Sequence, residues 1–166
     1  MSMPDPKPLW TAAEIAAAPE AHIRHPWNPN SDVHVKPLSA AAGLSRVVLS
    51  LARVPPGKES FVYHSHERDE EFLFILSGRG RAEIGQEVFE VGPGDFMGFP
   101  APGVAHHLTN PYEEDLVYLM GGERSGLDVG YFPKLNRRIV FAKSGIDAVE
   151  ESALRPLRPE DFVAKP

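Results

Sequence analysis

The sequence predicts an all-β protein, built as an antiparallel sandwich or barrel. Short apolar segments rich in valine, leucine, isoleucine and phenylalanine recur along the chain, with turn residues between them. The 17 prolines and 14 glycines are enough to end many short strands with tight turns. No long segment with helical periodicity separates the strands, so the pattern does not favour an α/β fold. With 166 residues, the chain is long enough for one domain with a buried core.

The composition excludes several classes of function. The chain contains no cysteine, which rules out a disulfide framework, a thiolate metal site and a cysteine nucleophile. Its 17 basic and 23 acidic residues leave a net charge of -6, and no basic cluster indicates a nucleic-acid partner. No apolar run reaches membrane-spanning length, and the N-terminus lacks a signal-peptide pattern. We therefore expect a cytoplasmic protein with no membrane partner.

Residues 1–30 are predicted to form a leader ahead of the β domain. Thr11 is a candidate N-cap for a short helix over residues 12–18, which Pro19 ends. Three histidines in or near this leader lack the spacing of metal ligands: His22, His25 and His34. We interpret them as exposed or locally hydrogen-bonded side chains.

The β domain is predicted over residues 31–142 as a series of short strands and hairpins. The predicted strands are Val33–Lys36, Arg46–Val54, Phe61–His66, Glu71–Ser77, Arg79–Ile84, Glu87–Val91, Asp95–Phe99, Ala105–Thr109, Leu116–Met120, Tyr131–Pro133 and Arg138–Ala142. Residues 121–130 are predicted as a loop. Residues 143–166 are predicted as a polar tail that packs on or extends from the domain, with one helical turn over Pro159–Phe162.

The chemistry of the chain is concentrated around two histidines. His64 and His66 are two residues apart in a predicted strand, so both imidazoles leave it on the same face. Glu71 begins the next strand, and its neighbour Glu70 would face the opposite side. Downstream, His106 offers a third imidazole, while the adjacent His107 would point away from it. Three imidazoles and one carboxylate are ligands that divalent transition metals accept.

These residues resemble the two signature motifs of the cupin superfamily. The first motif corresponds to Gly57, His64, His66, Glu71 and Gly78, with six, four and six residues in its variable gaps. The second corresponds to Gly94, Pro100, Gly103, His106 and Asn110, with one extra residue, Pro102, inside its Pro-x-Gly element. The glycines are interpreted as turn formers. A narrower resemblance joins this second motif to a later segment of a bacterial cupin subgroup: Arg124, Asp128, Val129, Tyr131, Phe132 and Pro133. That subgroup implies no particular substrate.

The resemblance implies a single-domain antiparallel jelly-roll β-barrel that binds one divalent transition metal. The implied ligands are His64, His66, Glu71 and His106. They do not select the metal, because zinc, iron, manganese and nickel all accept this donor set. Some cupins keep these residues and are isolated without a metal, so an empty site stays open as the alternative. Four protein ligands on an octahedral ion would leave two positions for substrate or dioxygen.

Strand parity also predicts the walls of the pocket around the metal. Residues that share the inward face with the ligands are Ser60, Val62, Leu73, Ile75, Val104 and Leu108. These walls are mostly apolar, and no acid–base pair stands out beyond the ligands. The catalytic residues therefore stay unassigned, and an isomerase or epimerase is disfavoured.

Two classes of function follow. The first is a metal-dependent enzyme acting on a small organic molecule, with dioxygenase-type oxidation as the leading reaction. The second is a non-catalytic module that binds a small sugar or carboxylate, with the metal as its anchor. The apolar run Phe72–Leu76 needs cover on both faces, which predicts a homodimer. The segment Val33–Lys36 is a candidate for pairing with the sheet of the second subunit.

Overall fold

The computed structural model describes residues 6–163, which form two short α-helices, two 3-10 turns and 13 β-strands. The helices are α1 (Ala12–Ala17) and α2 (Leu38–Ala41), and the 3-10 turns span Glu151–Ala153 and Pro159–Phe162. The strands are β1 (Ala21–Ile23), β2 (Val33–Lys36), β3 (Val47–Val54), β4 (Ser65–His66), β5 (Glu71–Ser77), β6 (Gly80–Ile84), β7 (Glu87–Val91), β8 (Phe96–Phe99), β9 (His106–Thr109), β10 (Leu116–Glu123), β11 (Leu127–Phe132), β12 (Arg137–Ala142) and β13 (Gly145–Glu150). No helix among these residues is long and apolar enough to cross a membrane.

The strands pair into three sheets whose ladders are antiparallel. The six-stranded sheet has the order β1-β2-β3-β10-β5-β8, the four-stranded sheet β13-β12-β11-β4, and the three-stranded sheet β7-β6-β9. Strands distant in sequence are therefore neighbours in space, as where β10 lies between β3 and β5. This pairing places β5 inside the six-stranded sheet, with a partner on each side.

The main core lies between the six-stranded and three-stranded sheets. Both sheets contribute to one buried cluster, which includes Leu73 and Ile75 of β5, Ala82 of β6 and Leu108 of β9. Burying these side chains is worth about 1.5–3 kcal/mol for each large aliphatic residue. A second, smaller cluster joins the four-stranded sheet to the segment before β4, and its buried members are Val62, Phe132 and Ile139. Two packed layers of antiparallel strands fit the jelly roll that the sequence motifs imply.

Most predicted strands are present, some with the predicted bounds and others with bounds shifted by one to three residues. Two predictions were wrong. The strand predicted over Phe61–His66 is regular only at Ser65–His66, because the preceding residues pair through single bridges at Glu59 and His64. The loop predicted over residues 121–130 is largely strand, since β10 runs on to Glu123 and β11 begins at Leu127. Three of the four glycines in this segment, which indicated a loop, lie within the ladders: Gly121, Gly122 and Gly130.

The structure adds strands in the two segments that flank the predicted domain. β1 lies within the leader and pairs with β2, while β13 follows residue 142 and pairs with β12. Val33–Lys36 is therefore already paired on both sides, to β1 and to β3, and has no free edge for a second subunit. The short helix forms as predicted, because Thr11 and Glu14 cap its first turn reciprocally. Residues 1–5 and 164–166 of the predicted leader and tail lie outside the described residues.

Two motif glycines and the motif asparagine shape the turns around the site. Gly78 has a φ of 76°, and a Cβ there would lie 2.1 Å from the carbonyl oxygen of Asp115. A Cβ on Gly103 would lie 2.0 Å from the carbonyl oxygen of Pro100, so the turn with the extra residue closes only around glycine. Asn110 is buried, and its Nδ2 donates hydrogen bonds to the carbonyl oxygens of Val54 and Glu114. These residues hold the turns and leave ligation to the histidines.

Candidate metal centre

The candidate ligands come from three segments that backbone pairing holds together. His64 and His106 form a bridge in which each backbone N–H donates to the other residue's carbonyl, at 3.0 and 2.7 Å. His66 lies on β4, and Glu71 is the first residue of β5, opposite Gly122 of β10. A Cβ at position 122 would lie 3.3 Å from Cγ of Glu71, so this glycine leaves room for the carboxylate side chain.

The three imidazoles converge on one carboxylate oxygen. Oε2 of Glu71 lies 3.2 Å from Nε2 of His106, 3.6 Å from Nε2 of His66 and 3.8 Å from Nε2 of His64. Ligand atoms about 2.1 Å from one ion lie roughly 3.0 Å apart at right angles and roughly 3.4 Å apart at the tetrahedral angle. We call these four side chains the central cluster. Donor atoms of His64, Glu71 and His106 all lie within 4.8 Å of one another, close to the spacing of ligands around a metal ion, and His66 joins them through its contact with Glu71.

The hydrogen bonds of His64 and His66 determine which ring nitrogen is unprotonated and faces the carboxylate of Glu71. Nδ1 of His64 donates to the carbonyl oxygen of Val62 at 2.7 Å, and Nδ1 of His66 donates to Oδ2 of Asp128 at 2.5 Å. In a neutral imidazole with its proton on Nδ1, Nε2 carries the lone pair. The Nε2 lone pairs of His64 and His66 thus point toward the oxygen of Glu71. A cation bound between them would remove the electrostatic repulsion between these atoms.

The charges within the cluster support this interpretation. Burial lowers the pKa of His64 to about 4, so this imidazole is neutral near pH 7. Burial opposes the charge of Glu71, but the hydrogen bond with His106 and the neighbouring imidazoles outweigh it and lower the pKa to about 2. A neutral imidazole and an ionised carboxylate are the protonation states that bind a divalent metal. The donor set fits such an ion.

Asp128 is a candidate site residue that ligand spacing did not indicate. Its side chain is buried, and Oδ1 accepts hydrogen bonds from the backbone N–H groups of Arg68 and Asp69 at 3.0 and 3.3 Å. Oδ2 meanwhile accepts the Nδ1 proton of His66. A carboxylate behind a metal-binding histidine fixes its tautomer and orientation. The only signal in the sequence was the position of Asp128 in the segment that resembles the bacterial subgroup.

Aromatic rings stack against two of the imidazoles. His106 stacks on Phe99 with ring centroids 3.5 Å apart, and His64 stacks on Phe132 at 5.7 Å. Tyr118 is fully buried near the cluster, and burial raises the pKa of its hydroxyl. This packing restricts rotation of the rings, so little side-chain freedom remains to be lost when a ligand binds.

Four of the six predicted wall residues are buried in the main core or beside the cluster. Ser60, Leu73 and Leu108 line the small cavity next to the cluster, and Ile75 is buried beneath it. Four further residues line this cavity and were not predicted: Phe61, His107, Tyr118 and Met120. Strand parity missed Phe61 because the segment before His64 is irregular, and it missed Tyr118 and Met120 because they lie on β10, which carries none of the predicted ligands.

Two wall predictions were wrong. Val62 is buried, but it packs in the second cluster with Phe132 and Ile139, since parity does not continue through the irregular residues before β4. Val104 is 54% exposed, because it lies in the loop before β9, which begins only at His106. Of the two rejected ligands, Glu70 is exposed, as parity predicted, whereas His107 lines the cavity next to the cluster with its Nε2 3.6 Å from Oε2 of Glu59.

Two open grooves reach the central cluster from the surface. One, of about 490 Å³, contains His66 and Asp128 together with apolar residues such as Phe141. The other, of about 530 Å³, contains Glu71 and the rings of Phe72, Phe96 and Phe99. Glu123 lines both grooves. The first groove also presents two exposed cations that form no ion pair within the described part of the chain: Arg124 and Lys143.

Comparison with known proteins agrees with this fold and these motifs. Residues 50–122 match the family model of the cupin domain. A crystal structure named "Putative sugar phosphate isomerase", from Acidithiobacillus ferrooxidans ATCC 23270, superposes with a TM-score of 0.88 at 36% identity, covering 92% of this chain and 97% of that one. A sugar phosphate isomerase of the cupin superfamily from Silicibacter pomeroyi DSS-3 superposes with a TM-score of 0.74 at 23% identity, over 86% and 91% of the two chains. The second likeness concerns the fold alone.

An archaeal relative matches a shorter part of the chain. It is an uncharacterized protein from Methanocaldococcus jannaschii, 39% identical over 62 residues. The match covers 37% of this chain and 48% of the relative, so the chain spans about half the length of that protein. Taken with the near-complete superposition on the Acidithiobacillus structure, these matches show that the chain belongs to the cupin superfamily.

Proposed function

We propose that the chain is a metal-dependent cupin that acts on a small organic molecule at the central cluster. One observation carries the proposal: three imidazoles with 8–17% of their side chains exposed place Nε2 within 3.2–3.8 Å of a single oxygen of Glu71. Buried charged and neutral donors arranged in this way have few uses other than metal binding. His64, His66, Glu71 and His106 would hold the ion.

The protein supplies the positions and the environment of the reaction. A bound divalent ion would polarise an oxygen of the ligand as a Lewis acid. Asp128 would keep the Nε2 atom of His66 directed inward, and the stacked rings of Phe99 and Phe132 would hold the other imidazoles. The grooves offer apolar walls against which the body of a small ligand would lie.

A phosphorylated sugar is the substrate class with the most support. The Acidithiobacillus relative, 36% identical over nearly the whole chain, carries the name of such an isomerase. The unpaired cations Arg124 and Lys143 offer charge to a phosphate in the groove that contains His66. Isomerisation also needs a base that moves a proton between neighbouring carbons. Glu123 is the candidate, since its carboxylate lines both grooves.

Two other functions compete with isomerisation. Dioxygenase-type oxidation is favoured by the four-ligand set, which would leave two positions on an octahedral iron ion for substrate and dioxygen. A non-catalytic module that binds a sugar or carboxylate would use the same cluster as an anchor. Each alternative uses the same ligands, so the reaction must be distinguished by its products.

The experiment loads the metal-free protein separately with Fe²⁺, Mn²⁺, Zn²⁺ and Ni²⁺ and offers a panel of sugar phosphates in deuterated water. Aldose–ketose conversion, with or without deuterium incorporation, supports isomerisation, whereas oxygen consumption with Fe²⁺ and a diol, diketone or aromatic substrate supports the oxidative reaction. Metal-dependent binding of a sugar or carboxylate without turnover supports the binding module. If neither turnover nor metal-dependent binding occurs with any compound, the proposal is wrong. The Glu123→Gln variant checks the base, because it should lose conversion and keep the metal.

A further inference from the structure

A second group of metal-ligand side chains lies on the hairpin formed by β1 and β2. It consists of His22, Asp32 and His34 and shares no residue with the central cluster. We propose that this hairpin cluster binds a divalent transition metal ion, with zinc as the best match to two imidazoles and a carboxylate. The ion would tie the N-terminal strand to the rest of the six-stranded sheet.

The pairing of the hairpin brings the three side chains to one face. His22 lies directly opposite His34 in the β1–β2 ladder, so their side chains leave the sheet together. Asp32 precedes His34 by two residues and shares its face. Sequence spacing alone did not indicate this cluster, because His22 and His34 become neighbours only when the hairpin closes.

The donor atoms lie close enough for one ion. Nε2 of His22 is 2.6 Å from Oδ1 of Asp32, and Nε2 of His34 is 3.2 Å from the same oxygen. The two imidazoles stack with centroids 4.6 Å apart and planes 14° from parallel. The three donor atoms fall within 4.8 Å of one another. In the metal-free protein a proton on His22 would bridge the shorter contact, and a metal would replace that proton.

A second carboxylate lies beside one of the imidazoles. Oε2 of Glu20 lies 3.3 Å from Nδ1 of His34, and Nη2 of Arg53 donates to the same oxygen at 2.9 Å. Glu20 thus favours a proton on Nδ1 of His34, which directs the Nε2 lone pair at Asp32. The arrangement parallels Asp128 behind His66. In the metal-free protein the two carboxylates also suit a protonated imidazole with an N–H toward each of them. In the metal-bound protein Glu20 would strengthen His34 as a ligand.

One carboxylate oxygen of Asp32 is available to bind an ion together with the imidazoles, because the nearby arginine faces the other oxygen. The guanidinium of Arg24 lies 3.7 Å from Oδ2, whereas both imidazoles face Oδ1. The side chain of Arg24 is 67% exposed and free to turn toward solvent when an ion binds. The side chain of His22 is 44% exposed, so water would complete the coordination of the ion.

Metal binding here has a structural consequence for the edge of the sheet. β1 is three residues long, is held to β2 by three residue pairs, and is the outermost strand of its sheet. Such edges fray readily. A bound ion would link the two arms of the hairpin, because His22 lies on β1 and the other two ligands, Asp32 and His34, lie on the other arm.

The test titrates chelator-treated protein with Zn²⁺ and measures stoichiometry and affinity by competition with a chromophoric chelator. We expect one equivalent fewer in the His22→Gln/His34→Gln variant than in the wild type, and no change in the matched His25→Gln control. Glu20→Gln should weaken the hairpin site about 10- to 100-fold, as expected for loss of a carboxylate behind a ligand. Hydrogen exchange should report slower exchange of the amides in 21–23 when Zn²⁺ is present.

The outcome does not depend on the central cluster, because the comparison is a difference between two proteins that both retain it. Equal Zn²⁺ stoichiometry and affinity in the wild type and the His22→Gln/His34→Gln variant would overturn the proposal and leave the cluster as an ion-pair network. If that variant fails to fold, Glu20→Gln decides in its place. Unchanged Zn²⁺ affinity and unchanged exchange in Glu20→Gln would also count against the site.

Discussion

The central and hairpin clusters use the same donors but differ in how much protein surrounds them. In the central cluster the side chains of His64, His66, Glu71 and His106 are 8–24% exposed, whereas those of the hairpin cluster are 14–44% exposed. In the central cluster less water is available to solvate the carboxylate and the lone pairs in place of a cation. At the surface, water and protons compete for the same contacts. Burial, more than donor type, therefore distinguishes the two clusters.

The two clusters share one feature besides their donor types, which is a carboxylate behind one of the histidines. Each contains a histidine whose Nδ1 faces an outer carboxylate, Asp128 behind His66 and Glu20 behind His34. In each case a backbone group or an arginine holds that carboxylate in turn. The outer residue orients the imidazole before any ion arrives, which lowers the cost of assembling the site.

Removing two central ligands should have the largest effect. The His66→Ala/His106→Ala variant should lose the full equivalent of metal bound at the central cluster, because only His64 and Glu71 remain. The hairpin cluster should be unaffected. Elemental analysis after dialysis measures the stoichiometry, and circular dichroism checks the fold. Metal retained at the wild-type ratio in a folded variant would refute the assignment of the ligands.

Removing the carboxylate at the centre should have the next largest effect. Glu71→Gln keeps the shape of the side chain but removes the only anionic ligand, so metal affinity should fall by about 100-fold or more, beyond the effect of an outer residue. The neighbouring Glu70→Gln is the matched control, since Glu70 is exposed and points away from the histidines. Equal losses of affinity in the two variants would contradict the orientation of β5.

The Asp128→Asn variant should have a smaller effect on the same site. The amide retains the size of the side chain but accepts the Nδ1 proton of His66 less strongly, so metal affinity should fall about 10- to 100-fold. A purely structural role would instead lower the thermal stability of the metal-free protein with no selective loss of affinity. Isothermal titration and thermal unfolding of the same preparations separate these outcomes.

We expect dimer formation to bury part of the sheet around the central cluster. It should change the exposure of the two clusters themselves less. We propose a homodimer, because Phe72 and Phe74 are only partly buried and Phe96 is 65% exposed on the same sheet. Light scattering should give about twice the chain mass of 18.3 kDa. Phe96→Glu should weaken the dimer, whereas Val88→Glu, on β7 and 64% exposed, should not. A wild-type protein that stays monomeric at micromolar concentration contradicts the proposal.

The parts of the site that rest on local spacing could be predicted from the sequence. Glu71–Ser77 and Glu87–Val91 are strands with the predicted bounds, and the six-residue spacing to Gly78 together with the parity of the predicted strand distinguished Glu71 from Glu70. Val62 and Val104 were misplaced because parity applies only to extended residues. Both lie in irregular segments, where the backbone does not alternate its side chains between two faces.

By itself, the sequence determined the cupin fold class and the four side chains of the central cluster. Turn residues end the strands, and the two motifs carry the ligands at intervals that short-range geometry can place. Only the tertiary structure decided which carboxylates stand behind the histidines. Asp128 is 62 residues from His66 in the chain and reaches it because β11 pairs with β4, while His22 meets His34 because β1 folds back on β2. Such pairings depend on long-range strand register, which the buried faces of whole sheets select and no local motif encodes.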